Sequence, residues 1–467
     1  MSFSRPSQRD DFEIAIVCAL KAEFDAVCLV VEEFWDGNQD IYGKANGDIN
    51  CYRTGRIGKH NIILLQLRQM GKAHAAAAAA GLRSSFTRLR LAFLVGGCAA
   101  VPQSENANIV LGDIIISTGI VQYDFGRKFP DKFIRKNTGR DNLVKPCKEV
   151  GNILTTLQTP DITNKLTERL ATLLIDLQKN AHNKGYGSRY GYPGVHEDKL
   201  YKSSYHHKHR DMGCPTCIMA DDSTCDEARI TNCEDLGCGV AGLVAGRQRL
   251  EEKLQSCRND DMAYQNPDIF FGLVGSGDSV MKSGCDRDRL AEEEGVIAFE
   301  MEAAGFWEDV PTLVVKGVFD YGDSHKNKLW HHFSSATAAC AARAIIERLA
   351  QTDQRSTSIY KEVPSDHRIE NNHAISSWQE NLINNATTNT RIIGSISENM
   401  SLGGSKQSNI INFSNSNRTL ERRIVHAQLQ FLELITCKYN CLLIHLLACL
   451  IACLRLVSLL TSTKSRQ

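Results

Sequence analysis

Short apolar runs separated by helix-forming segments constrain this chain more than any other feature. Glu13–Ala19 (EIAIVCA), Ile62–Leu67 (IILLQL), Leu91–Val95, Ile109–Ser117, Ile269–Val274 and Thr312–Phe319 each read as a strand apolar on both faces. Strands of that kind need cover on both sides, which predicts an α/β sheet between two helical layers. Between the second and third runs, Gly71-Lys72-Ala73-His74 leads into six alanines. Alanine is the best helix former and its small side chain lets a helix approach a sheet closely, so this segment predicts a tightly packed helix. Gly81 is the expected C-terminal cap.

The pattern runs from about residue 11 to 350 and is interrupted once. From Tyr186 to about Asn266 the chain is polar, with weak periodicity, and reads as an insertion in which Arg247–Gln255 forms an exposed helix. Residues 351–420 are rich in Asn, Ser and Thr and read as a disordered linker. Residues 421–467 form a hydrophobic helical tail. Within it Cys441–Leu460 has the length of a membrane span but contains His445 and Arg455, which are costly in hydrocarbon, so membrane contact is not the favoured reading. Lys plus Arg and Asp plus Glu balance at 54 each, giving no global field toward nucleic acid or membrane. The seventeen cysteines occur in a large chain without an apolar leader in Met1–Asp10, so reduced thiols and a cytoplasmic location are expected.

The chemistry concentrates in Ala298–Gly305 (AFEMEAAG) and Val314–Lys328 (VVKGVFDYGDSHKNK). Glu300 and Glu302 fall where an apolar strand gives way to a helix beginning near Met301, and carboxylates there are expensive to bury without partners. A ligand diol could satisfy one of them with two charge-assisted hydrogen bonds. Asp320 ends the next strand, the usual position of a ligand-facing group in an open α/β sheet. On spacing alone, helix capping by Glu302 and Asp320 explains them equally well.

These segments resemble the signature of the nucleoside phosphorylase/nucleosidase superfamily, in the form found at the N-terminus of fungal immune-receptor-like proteins of the NACHT/ankyrin type. Glu13–Glu23, Met70–Ala76, Leu94–Pro102, Leu111–Ser117 and Gly272–Met281 ahead of Arg287-Asp-Arg289 agree in order. The resemblance implies a three-layer sandwich with a mixed central sheet and cleavage of the N-glycosidic bond of a purine nucleoside or nucleotide. In its terms Met301 and Glu302 hold the ribose, and Asp320 is the general acid toward the purine N7. Val280 and Met281 face the base through their main chain, and Ser276, Gly96 and Cys98 line the substrate site. Glu23 resembles the water-activating carboxylate of the hydrolytic branch.

A phosphorolytic alternative, with inorganic phosphate as co-substrate, stays open, because Glu23 could simply favour its helix N-terminus. Lys72, His325, Lys326 and Lys328 are the candidate phosphate contacts should the substrate be a nucleotide such as ATP. Ala99 and Ala100 stand where relatives carry glycines, which keeps a weakly catalytic interaction module in view. No cofactor is implied, and a homo-oligomer is. Cys214 and Cys217 form one zinc-like pair, with His206, His207 and His209 just upstream. Because Cys225 and Cys233 lack regular spacing, the cysteines read as loop residues and no metal is expected.

Overall fold

The computed structural model describes residues 5–37, 41–104, 107–136, 145–210, 213–219, 223–259 and 262–352. The linker beyond residue 352 and the hydrophobic tail lie outside the described residues. No helix among the described residues is long and apolar enough to cross a membrane.

The strands are β1 (Ile14–Cys18), β2 (Glu33–Phe34), β3 (Tyr52–Ile57), β4 (His60–Gln66), β5 (Leu91–Ala100), the hairpin β6 (Gln103–Ser104) and β7 (Ala107–Asn108), β8 (Ile114–Gln122), the hairpin β9 (Gly126–Lys128) and β10 (Phe133–Arg135), β11 (Ile269–Ser276), β12 (Val296–Glu300) and β13 (Thr312–Asp320). The helices are α1 (Lys21–Val30), α2 (Lys72–Ser85), α3 (Lys148–Leu157), α4 (Pro160–Asn183), α5 (Pro215–Met219), α6 (Asp226–Ile230), α7 (Gln248–Arg258), α8 (Gly284–Glu294), α9 (Ala303–Phe306) and α10 (His331–Arg348).

Nine strands form one mixed sheet in the order β12-β11-β8-β13-β5-β1-β4-β3-β2. β1 runs parallel to β4 and β5, and β13 is parallel to β5 but antiparallel to β8. Every residue of β1 is buried, as its apolar run requires of a strand covered on both faces. One helical group comprises α1, α4 and α10, which pack on one another, and α10 also lies on β5 and β13. A second pairs α2 with α9. The far end of β5 reaches across to β12, pairing Ala99 with Phe299 and Ala100 with Ala298, which closes β5, β13, β8, β11 and β12 into a ring.

Three sequence expectations change. The run at Ile109–Ser117 is a strand only from Ile114, because Gly112 (φ 90°) and Asp113 make a turn in which the Asp113 carboxylate accepts the Val110 N–H at 2.8 Å. Gly81 does not end its helix, which continues to Ser85. A Cβ at Gly81 would stand 2.4 Å from Asp48 Oδ1, so this glycine serves close approach of the Asp48–Asn50 segment. The polar stretch is also less separate than its composition suggests. Tyr190 is buried, and Tyr192 packs edge-on against Trp330 and Phe333 at ring-centroid distances of 5.2 and 5.0 Å. The expected exposed helix is present as α7, with no buried residue, although Arg247, where it was expected to begin, precedes it and is buried.

Candidate active site

The carboxyl ends of β1, β11, β12 and β13 converge, and the polar residues of the apolar runs meet there. Glu23, in the first turn of α1, is 3% exposed. Its Oε2 accepts the N–H groups of Ala19 (3.0 Å) and Leu20 (2.8 Å), and its Oε1 accepts that of Gly97 (2.8 Å). The paired glycines of β5 make this possible. A Cβ on Gly96 would fall 2.5 Å from Glu23 Oε1, and one on Gly97 would fall 1.9 Å from the Phe319 ring. Burial raises the Glu23 carboxyl to about 7, with Glu302 adding to the rise and Lys316 and the backbone donors opposing it.

Lys316, in the middle of β13 and 2% exposed, organises the remaining carboxylates. Its Nζ lies 3.1 Å from Glu302 Oε2 and 3.4 Å from Glu300 Oε2. Burial works against its charge, but Glu302, Glu300 and Glu23 together outweigh that and hold the ammonium well above its ordinary range. Glu300 closes the turn into α9 by accepting the N–H groups of Glu302 (3.1 Å) and Ala303 (3.0 Å). The capping role therefore belongs to Glu300, and Glu302 makes no side-chain cap. Burial raises the Glu300 carboxyl, with Lys316 opposing and Glu302 reinforcing the shift. Ser276, fully buried at the end of β11, accepts the Ala304 N–H at 3.0 Å. Met301, between the two glutamates, is half-buried.

Asp320 ends β13 and is buried. Its Oδ1 accepts the Gly322 N–H at 2.7 Å, and Lys326 Nζ is 2.7 Å from its Oδ2. Gly322 adopts φ +63°, and a Cβ there would stand 3.0 Å from Met281 Cγ and 3.4 Å from the Ala99 Cβ. The Asp320 turn, the Met281 loop and the end of β5 thus meet at one point. Val280 is half exposed. Cys98 is buried, and desolvation pushes its thiol far up, so it packs as a small apolar group. Ala99 and Ala100 are ordinary strand residues paired across to β12, a conformation that alanine adopts freely.

The four candidate phosphate contacts are not gathered into a cluster. Lys72 is held by Asp124 at 2.5 Å and Asp278 at 3.6 Å, and Lys326 is committed to Asp320. Lys328 is exposed, and His325 is buried with its ring stacked on Tyr201 at 3.9 Å. A cavity of about 550 Å³ runs from Phe319, Asp320 and Lys326 to the insertion at Lys199 and Arg229.

Three side chains given no role in the sequence support the site. Lys316 carries a signal in the sequence, a lone lysine in VVKGVF. Arg287, 2% exposed, donates to the Tyr321 carbonyl at 2.7 Å, and Arg247 and Tyr321 converge on Asp198 Oδ1 at 2.6 and 2.7 Å. Arg287 and Arg247 tie Tyr321, the neighbour of Asp320, to the rest of the domain.

Fold and site together define a mixed α/β domain that gathers buried carboxylates around one lysine at the carboxyl ends of its strands, where such sheets bind small ligands. No protein-family model matches the chain. A nucleotide-binding leucine-rich repeat (NLR)-like protein of Hyaloscypha variabilis is 29% identical over 349 residues, covering 73% of this chain and 30% of the relative. The match therefore spans less than a third of that relative's length. Solved structures that align with the chain include the 5'-methylthioadenosine/S-adenosylhomocysteine nucleosidase of Helicobacter pylori (12% identity, 72% of this chain, 99% of the other, TM-score 0.41). The futalosine hydrolase of the same organism (13%, 72% and 98%, TM-score 0.40) also aligns. So does the 5'-methylthioadenosine/S-adenosylhomocysteine nucleosidase of Neisseria meningitidis (14%, 72% and 99%, TM-score 0.37).

Proposed function

We propose that the domain is a nucleosidase of the nucleoside phosphorylase/nucleosidase superfamily, which cleaves the N-glycosidic bond of a purine nucleoside or nucleotide with water. The observation that carries this reading is Glu23, a buried carboxyl raised to about 7 that shares the field of Lys316 with Glu302. A group near neutrality is suited to take a proton from water at working pH. Glu302, held by Lys316, accepts from the ribose hydroxyls. Asp320, with Lys326 at its Oδ2, supplies a proton to the purine N7. The C1′–N9 bond breaks with its electron pair leaving on the base, through an oxocarbenium-like sugar. The water oxygen bonds to C1′ and its proton passes to Glu23, so the products are free base and free sugar.

The test is chromatographic. The full chain is incubated with adenosine, inosine, guanosine and ATP, with and without inorganic phosphate, and free base is quantified. Release without phosphate that disappears in Glu302→Ala is the expected result. Turnover retained in Glu302→Ala would remove its ribose role, and release only with phosphate would make the reaction phosphorolysis. A second reading, an interaction module of an NLR-like protein, is favoured by the Hyaloscypha relative, of which this chain matches only 30%. It predicts no base release from any of the four substrates.

A further inference from the structure

The insertion brings together two sets of soft ligands that the chain order interleaves. His209, Cys214, Cys217 and Cys225 place one ligand atom each within 4.8 Å of all the others, and so do His207, Cys233 and Cys238. All five of these cysteines carry free thiols. His209 Nδ1 lies 3.8 Å from Cys217 Sγ and 3.4 Å from Cys225 Sγ, and His207 Nδ1 lies 3.6 Å from Cys233 Sγ and 3.3 Å from Cys238 Sγ. Zinc–sulfur bonds of about 2.3 Å and zinc–nitrogen bonds of about 2.0 Å, set tetrahedrally, give N···S edges of roughly 3.5 Å. The distances in the structure bracket that value.

Three further observations point to a metal. His207 Nε2 lies 2.8 Å from the Thr231 carbonyl. Donating there leaves the Nδ1 lone pair aimed at the two thiols, the arrangement by which a backbone carbonyl orients a metal-binding imidazole. His325, with its side chain 3% exposed, has no hydrogen-bond partner for either ring nitrogen, although its Nδ1 lies 3.8 Å from Asp323 Oδ1. Its ring stands edge-on to that of His207 at 5.2 Å. Finally, the described residues of this part of the insertion form almost no apolar core. The fully buried cluster is Cys217, Ala228 and Leu236, packed by Cys214, Cys225 and Cys238, while Ile218, Met219, Ile230 and Val240 are exposed. A segment with so little to bury needs staples to hold one fold.

We propose that the insertion is a two-zinc structural module, with one ion on His209, Cys214, Cys217 and Cys225 and a second on His207, Cys233, Cys238 and His325. The second ion fastens the insertion to the loop that follows Asp320, because His325 belongs to that loop. This inference stands independently of the glycosidase reading, since neither ion touches the Glu23–Lys316–Glu302 cluster.

The test uses the full chain, purified without a metal-affinity tag or chelator, and counts metal by elemental mass spectrometry. Two zinc ions per chain are expected, falling to one in Cys214→Ser/Cys217→Ser and to one in Cys233→Ser/Cys238→Ser. Cobalt-substituted protein should show thiolate charge-transfer bands and tetrahedral visible absorption, with His325→Ala changing the spectrum of the second site alone. Where a variant fails to fold, the unaltered chain still decides. A thiol-blocking mercurial should release zinc to a dye in step with the thiols titrated, and a chelator should lower Tm. Folded protein with no zinc above the buffer blank overturns the proposal. A single ion in the unaltered chain that is retained in Cys233→Ser/Cys238→Ser overturns the second site, and a cobalt spectrum unaltered by His325→Ala overturns the link to the Asp320 loop.

Discussion

Replacing Glu23 by glutamine separates the chemistry of this carboxyl from its structural cost. With its value at about 7 instead of the ordinary 4.5, the folded chain holds the Glu23 proton more tightly than the unfolded chain does. Its contribution to folding is therefore greatest below about pH 4.5 and is lost as pH rises through about 7. That shift corresponds to roughly 3 kcal/mol at alkaline pH. Glu23→Gln abolishes this penalty, but an amide can oppose only one set of N–H donors with its oxygen. Its NH₂ must then face either Gly97 or the Ala19/Leu20 pair, at a cost of about 1–3 kcal/mol. The two effects nearly cancel, so Tm at pH 8 should change by only a few degrees. Catalysis should not survive: loss of a positioned base removes on the order of 10²–10⁴ in rate. In the unaltered chain kcat/KM should fall tenfold per pH unit below about 7, and that limb should vanish in the residual activity of Glu23→Gln. The assay is base release across pH 5–9, beside a thermal melt of each protein. A variant that keeps full activity with an unchanged acidic limb would refute the assignment of water activation to Glu23.

Three other outcomes follow from the same geometry. Lys316→Met leaves Glu300 and Glu302 buried without their cation and should cost about 3–5 kcal/mol in urea unfolding. Asp320→Asn should lower kcat by on the order of 10²–10⁴ with much less effect on KM, read from initial rates of base release. Ala99→Gly should not raise activity, because Ala99 is a relaxed strand residue, and it should cost about 0.5–1 kcal/mol of stability by denaturant titration. A large gain in rate would restore the view that the alanines impair the site.

The apolar runs made the central strands and the mixed α/β class legible, because a strand buried on both faces leaves a continuous hydrophobic signal. Strand β3, next to the edge strand β2, leaves no such trace: Tyr52–Ile57 (YRTGRI) is only half-buried at Arg53 and Arg56. Glu302 and Asp320 were readable from their places at strand ends and Glu23 only through the family resemblance, and the structure brings Glu302 and Glu23 into the field of one lysine. Lys316 itself is recognisable only when its strand is known to face carboxylates. Two of the lysines considered for phosphate looked free in the sequence but are paired, Lys72 with aspartates of other loops and Lys326 with Asp320. The cysteine and histidine spacings look irregular because two ligand sets are nested, with His325 arriving from far along the chain.

The bond between the end of β5 and β12 has a consequence for how the protein is made. Ala100 and Ala298 are about 200 residues apart, so the ring closes only through a contact of very long sequence separation, the kind that forms late in folding. Glu300, Glu302 and Lys316 leave the ribosome after the whole insertion, while Glu23 and its glycines have long been waiting. A nascent chain holding only the first half therefore has Glu23 without Glu302 or Lys316. The cluster around Lys316 cannot come into being until the domain is nearly complete, which on the proposed reading leaves partial chains inert toward nucleosides during synthesis.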